Sequence, residues 1–81
     1  MKVRVQFYAQ LREVIGMHEL ELELPQGATV RELLEKIYAQ KPAFRAHDKS
    51  ILIAAGLEFV DRDYNLNPGE EIAIMPPVQG G

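Results

Sequence analysis

The chain of 81 residues contains no cysteine, so it can hold no disulfide, no cysteine-ligated zinc and no thiol nucleophile. It also lacks any excess of positive charge: nine Lys and Arg stand against twelve Asp and Glu, a net charge of -3 at pH 7. That leaves no basic footprint for nucleic acid. No apolar run approaches a signal-peptide core or a membrane span, so no membrane association is expected and a cytoplasmic location is the default. No internal repeat or interdomain linker is visible. His18 and His47 lie far apart without HExxH spacing, and Asp61, Asp63 and nearby Glu58 lack the spacing and glycine of a calcium loop. No metal ligation is expected from either set.

What is present suits one small domain. The chain is 47% hydrophobic and 26% charged, enough apolar content for a core and too much for a disordered segment. At this length folding buries only about 60 to 65% of the extended surface, so every apolar stretch must serve the same core. Val3, Val5 and Phe7 alternate with polar residues, the period of two that marks a half-buried strand. Tyr8 then falls on the opposite face, where its ring needs a cover or a partner. Ala9 to Ile15 favours a turn or two of helix, with Leu11 and Val14 or Ile15 on its apolar side and Gly16 as the stop. Leu20, Leu22 and Leu24 alternate with Glu19, Glu21 and Glu23, a second strand with one acidic face, closed by Pro25-Gln26-Gly27. Paired as neighbours, these two strands run antiparallel, with Lys2 and Arg4 facing some of the glutamates.

Thr29 and Glu32 have the spacing of a capping box. Val30, Leu33, Leu34, Ile37 and Tyr38 follow at intervals of three and four, which predicts one long helix to about Gln40, before Pro42. With no second long helix to receive it, this stripe must lie on a sheet. Lys41 to Lys49 has weak periodicity, with Phe44 as its anchor. Ile51-Leu52-Ile53 reads as a central, well-covered strand, and Glu58-Phe59-Val60 as a short strand or bridge. Asn67-Pro68-Gly69 is a turn before the last strand, Glu71 to Met75, whose inward residues are Ile72 and Ile74. The outward set, Tyr8 and Met75 with Phe59, is a candidate exposed apolar patch. The order strand, strand, helix, strand, short strand, strand is met most economically by an α+β fold. In it one mixed sheet packs on one main helix, as in the ubiquitin-like β-grasp.

Pro76-Pro77-Val78-Gln79-Gly80-Gly81 completes the chain. The prolines favour an extended path leaving the last strand, and the glycines remove all side chains from the final two positions. Such a segment is thin enough for a narrow channel on another protein and reaches at most roughly 20 Å. The expected organisation is a domain over residues 1–75 and an extended, flexible tail over 76–81 that presents the Gly81 carboxylate.

With these residues in view the chain resembles the small subunits of molybdopterin synthase, the sulfur carriers of the MoaD/ThiS family of ubiquitin-like proteins. The resemblance rests first on the diproline-diglycine terminus and next on Phe7-Tyr8-Ala9-Gln10-Leu11-Arg12-Glu13. Gly27-Ala28-Thr29-Val30 and Leu66-Asn67-Pro68-Gly69-Glu70-Glu71 add to it. Gly56 stands where the family often has asparagine, and Met75 where an aromatic is common.

The resemblance implies a carrier cycle. An E1-like adenylating enzyme uses ATP and magnesium to activate the Gly81 carboxylate, and a sulfur donor protein replaces AMP to leave a thiocarboxylate. Gly80 and Gly81 enter the large synthase subunit, in a heterotetramer, and the sulfur passes to cyclic pyranopterin monophosphate to build its dithiolene. The chain binds no cofactor and has no catalytic site of its own; it is the sulfur-donating part of an enzyme. Tyr8, Arg12, Phe59, Met75, Pro76, Pro77, Val78 and Gln79 are the residues it implies for partner recognition. The same terminus also suits a carrier for thiamine, cysteine or transfer-RNA thiolation, or a ubiquitin-like protein modifier.

Overall fold

The computed structural model describes residues 1–77. Five strands form one mixed sheet in the order β2-β1-β5-β3-β4. Strand β1 spans Lys2–Phe7, β2 Glu19–Glu23, β3 Leu52–Ala55, β4 Glu58–Phe59 and β5 Glu71–Met75. β1 runs antiparallel to β2 and parallel to β5, while β3 is antiparallel to both β5 and β4. Helix α1, Leu11–Ile15, lies in the β1–β2 connection, and α2, Val30–Gln40, links β2 to β3. Gly16 ends α1 in the left-handed region at φ 82°, its amide donating to the Arg12 carbonyl, as a C-terminal glycine does without Cβ strain. Leu11 and Ile15 carry the buried side of α1, and Val14 is exposed.

Side-chain alternation divides the sheet into two faces. On the inner face Val3 opposes Leu22, Val5 opposes Leu20 and Ile72, and Phe7 and Ile53 flank Ile74. The capping box is complete: the Glu32 amide donates to Thr29 Oγ1 and the Thr29 amide to Glu32 Oε1, both at 3.3 Å. It starts α2 with Val30, Leu33, Leu34, Ile37 and Tyr38 buried, and each fully buried aliphatic side chain contributes about 1.5–3 kcal/mol. The apolar side chains of this helix close the single core over the inner face.

Two elements differ from the sequence expectation. Pro42–His47 is a 3-10 helix, where periodicity predicted only an anchor at Phe44. Phe44 is fully buried, edge-on to Phe7 with ring centroids 5.8 Å apart. Its exit is fastened by Asp48, which accepts from the Tyr38 hydroxyl and, at 2.9 Å, from Arg62. The Ile51–Ile53 run is not the centre of the sheet: β3 begins at Leu52, which is half-buried, and stands next to the two-residue edge strand β4. The central place belongs to β5. The acidic stripe of β2 meets Lys2 diagonally at Glu21, 3.9 Å away, whereas Arg4 turns to Glu71 on β5 at 3.8 Å. These exposed pairs contribute little. The arrangement is the ubiquitin-like β-grasp, and β5 ends at Met75, directly before Pro76 and Pro77.

Candidate functional site

Among the described residues no helix covers the outer face of the sheet. Its cross-strand register decides what it displays. One row runs Glu19, Gln6, Ala73, Ala54 and Phe59 from edge to edge, and Leu52 faces Met75 in the next row. The half built from β2 and β1 is charged. The half built from β5, β3 and β4 is apolar apart from Glu71 at the start of β5.

Phe59 is 67% exposed and Tyr8 38% exposed, while Met75 and Pro76 are half-buried. These are the side chains that the sequence marked as an outward apolar set, and the register places them around the point where β5 gives way to Pro76. The two alanines between them keep the floor low. A shallow depression of about 120 Å³ lies beside this group, toward the start of β5, lined by Gln6, Tyr8, Gly56, Glu71, Ile72 and Ala73. Exposed aromatic side chains beside a half-buried thioether suit a partner's apolar surface better than water.

Leu57 also belongs to this edge and was not singled out in the sequence. Gly56, at φ 63°, makes a tight hairpin between Ala55 and Glu58, which leaves Leu57 fully exposed at its tip. Two residues between short strands, the first a glycine, are the signal that locates it.

Arg12 sits at the other margin. Its Nε donates to the Phe7 carbonyl at 3.0 Å, and its guanidinium lies 5.8 Å from the Tyr8 ring centroid. The Tyr8 hydroxyl donates to Gln6 Oε1, and Gln6 Nε2 donates to Glu71 Oε1, each at 3.0 Å. Pro77 is exposed. Val78, Gln79, Gly80 and Gly81, the remaining expected site residues, lie outside the described residues.

Among the described residues no group of three or more His, Asp or Glu stands close enough to hold a metal ion, and no helix is long and apolar enough to cross a membrane. His47 packs near Phe44 and Asp63 pairs with Arg31, so both serve the fold. The outer face has the features of a docking surface.

The model of the ThiS family matches residues 5–81. The chain is 38% identical over 84 residues to the molybdopterin synthase sulfur carrier subunit of Chlamydomonas reinhardtii, with 100% of each chain covered. Among solved structures, a candidate molybdopterin converting factor subunit 1 from Pyrococcus furiosus superposes with a TM-score of 0.88 at 34% identity, covering 96% of this chain and 99% of that one. The small archaeal modifier protein SAMP1 of Haloferax volcanii reaches the same TM-score, 0.88, at 25% identity over 100% of both chains.

Proposed function

The chain belongs to the ThiS family, and from that membership we propose that it is the sulfur carrier subunit of a molybdopterin synthase. The observation that carries this reading is the position of β5. It is the central strand of the sheet, and it carries Pro76 and Pro77 at the border between the charged and the apolar side of the outer face. A partner that grips Tyr8, Phe59 and Met75 thereby receives the tail from a fixed starting point. Arg12 belongs to the same surface, and Pro76, Pro77, Val78 and Gln79 line the way to the partner's channel.

The chemistry belongs to Gly81. A carboxylate is a poor acceptor for a nucleophile, so an E1-like enzyme exchanges pyrophosphate of ATP for the carboxylate, with magnesium on the phosphates, to give an acyl-adenylate. Sulfide-level sulfur from a sulfur donor protein attacks the acyl-adenylate, AMP departs, and a thiocarboxylate is left. In the large synthase subunit that sulfur passes to cyclic pyranopterin monophosphate, water restores the Gly81 carboxylate, and two loaded carriers complete one dithiolene. Gly80 and Gly81, without side chains, let both steps approach the carbonyl closely. The chain supplies reach and docking, in the cytoplasm, and the large subunit supplies the substrate pocket.

The likeness to SAMP1 favours one second reading, protein modification. There the same adenylated Gly81 is attacked by a lysine amine, and an isopeptide bond forms. One reconstitution separates the two. With the large subunit, precursor, adenylating enzyme, ATP and sulfur donor, the carrier yields molybdopterin and the Gly81-deleted chain yields none. Adducts heavier by one whole copy of the chain, with no molybdopterin, mark the modifier.

A further inference from the structure

Tyr8 stands where β1 stops and the chain turns into α1. A phenol on an open sheet face ordinarily samples several rotamers, and docking must then order it. Here the ring is held from two sides. Its hydroxyl is tied through Gln6 to Glu71 on β5, and the Arg12 guanidinium lies 5.8 Å from its centroid, within the range of a cation–π contact.

The backbone brings Arg12 to that place. Ala9 has φ 54°, the one non-glycine residue with positive φ among those described, a conformation that costs an L-residue roughly 1–2 kcal/mol. After this bend the Leu11 amide donates to the Tyr8 carbonyl at 3.2 Å and the Arg12 amide to the Ala9 carbonyl at 3.1 Å. The side chain then folds back, and Nε binds the Phe7 carbonyl at 3.0 Å. A guanidinium with its Nε engaged by its own chain is a fixed plate beside the ring. Lysine has no counterpart to Nε and offers only a mobile point charge.

We infer that Arg12 is a positioning residue for docking: it acts through Tyr8, fixing the ring in its bound place before the partner arrives. This rests on the proposed docking of the outer face. Its benefit is the ordering cost that a preorganised aromatic anchor avoids on binding.

The test measures Kd for the large synthase subunit with wild type, R12A, R12K, Y8A and the R12A/Y8A double variant. Proton NMR of the Tyr8 ring in the isolated chains accompanies it. R12A and R12K each weaken binding about fivefold, the size of one exposed cation–π contact, and melting falls by no more than about 5 °C. R12A has no further effect once Tyr8 is alanine, and in both single Arg12 variants the Tyr8 ring signals move toward their values in a disordered chain. Wild-type affinity in R12K, an equal loss with and without Tyr8, or unchanged ring signals overturns the inference. Failure of the wild type to bind the large subunit overturns the docking reading instead, and the ring signals still decide whether Arg12 orders Tyr8.

Discussion

The Tyr8 amide donates to the Ile74 carbonyl at 3.1 Å, one step beyond the Phe7–Ile74 pair that closes the β1–β5 register. Tyr8 is therefore fastened to the strand that carries Met75 and Pro76, although 66 positions separate it from Ile74 along the chain. In the proposed docking, Tyr8 and the strand that leads to Pro76 therefore share one hydrogen-bonded ladder.

If the apolar half of the outer face docks the partner, charge placed there should act on binding more than on folding. Phe59→Glu is expected to weaken binding to the large synthase subunit by tenfold or more, as an aromatic anchor does. At 67% exposure Phe59 holds little of the core, so its melting temperature changes by only about 2 °C. Met75→Glu is expected to weaken binding similarly with a larger thermal loss, because Met75 is half-buried opposite Leu52. Calorimetric titration beside thermal melts checks both, and unaltered affinity in the two variants places the interface elsewhere.

The Asp48 cluster makes stability depend on pH at both ends of the scale. The Tyr38 hydrogen bond, opposed by partial burial and supported by Arg62, holds the Asp48 carboxyl below the usual range. A depressed folded value means that the contribution is present above about pH 4, the unfolded value, and is lost as pH falls through the folded one. Burial, followed by the hydrogen bond to Asp48, raises the Tyr38 phenol. That contribution is present below about pH 10 and is lost as pH rises further. Asp48→Asn is expected to cost about 1 kcal/mol at pH 7 and to flatten the acid limb of a melting-temperature profile. Tyr38→Phe flattens the alkaline limb. Limbs that parallel the wild type in both variants remove the cluster from this role.

The helix α2 was legible because its signals are local: Thr29 and Glu32 cap it, and five apolar residues recur at helical spacing. The 3-10 helix was not, since Pro42–His47 has one apolar anchor and is held by distant groups, Phe7 under Phe44 and Arg62 on Asp48. Alternation identified the strands and their outward residues, so Tyr8, Phe59 and Met75 could be grouped. Strand order does not follow from alternation: the apolar run at Ile51–Ile53 suited an interior strand, which β3 is, but could not show that β5 takes the middle place. The Tyr8–Gln6–Glu71 chain depends on the pairing of β1 with β5 and has no local signature. The roles proposed for Gly80 and Gly81 come from the family resemblance and not from periodicity, and both residues lie outside the described ones.

The most direct test of the carrier role is the intact mass of the chain after incubation with the E1-like enzyme, ATP, magnesium and a sulfur donor. The large subunit and pyranopterin precursor are then added. The account predicts a rise equal to the exchange of one oxygen for sulfur, confined to a C-terminal peptide containing Gly81, which disappears as molybdopterin forms. No rise, with an adenylating enzyme shown to be active on another carrier, would contradict it.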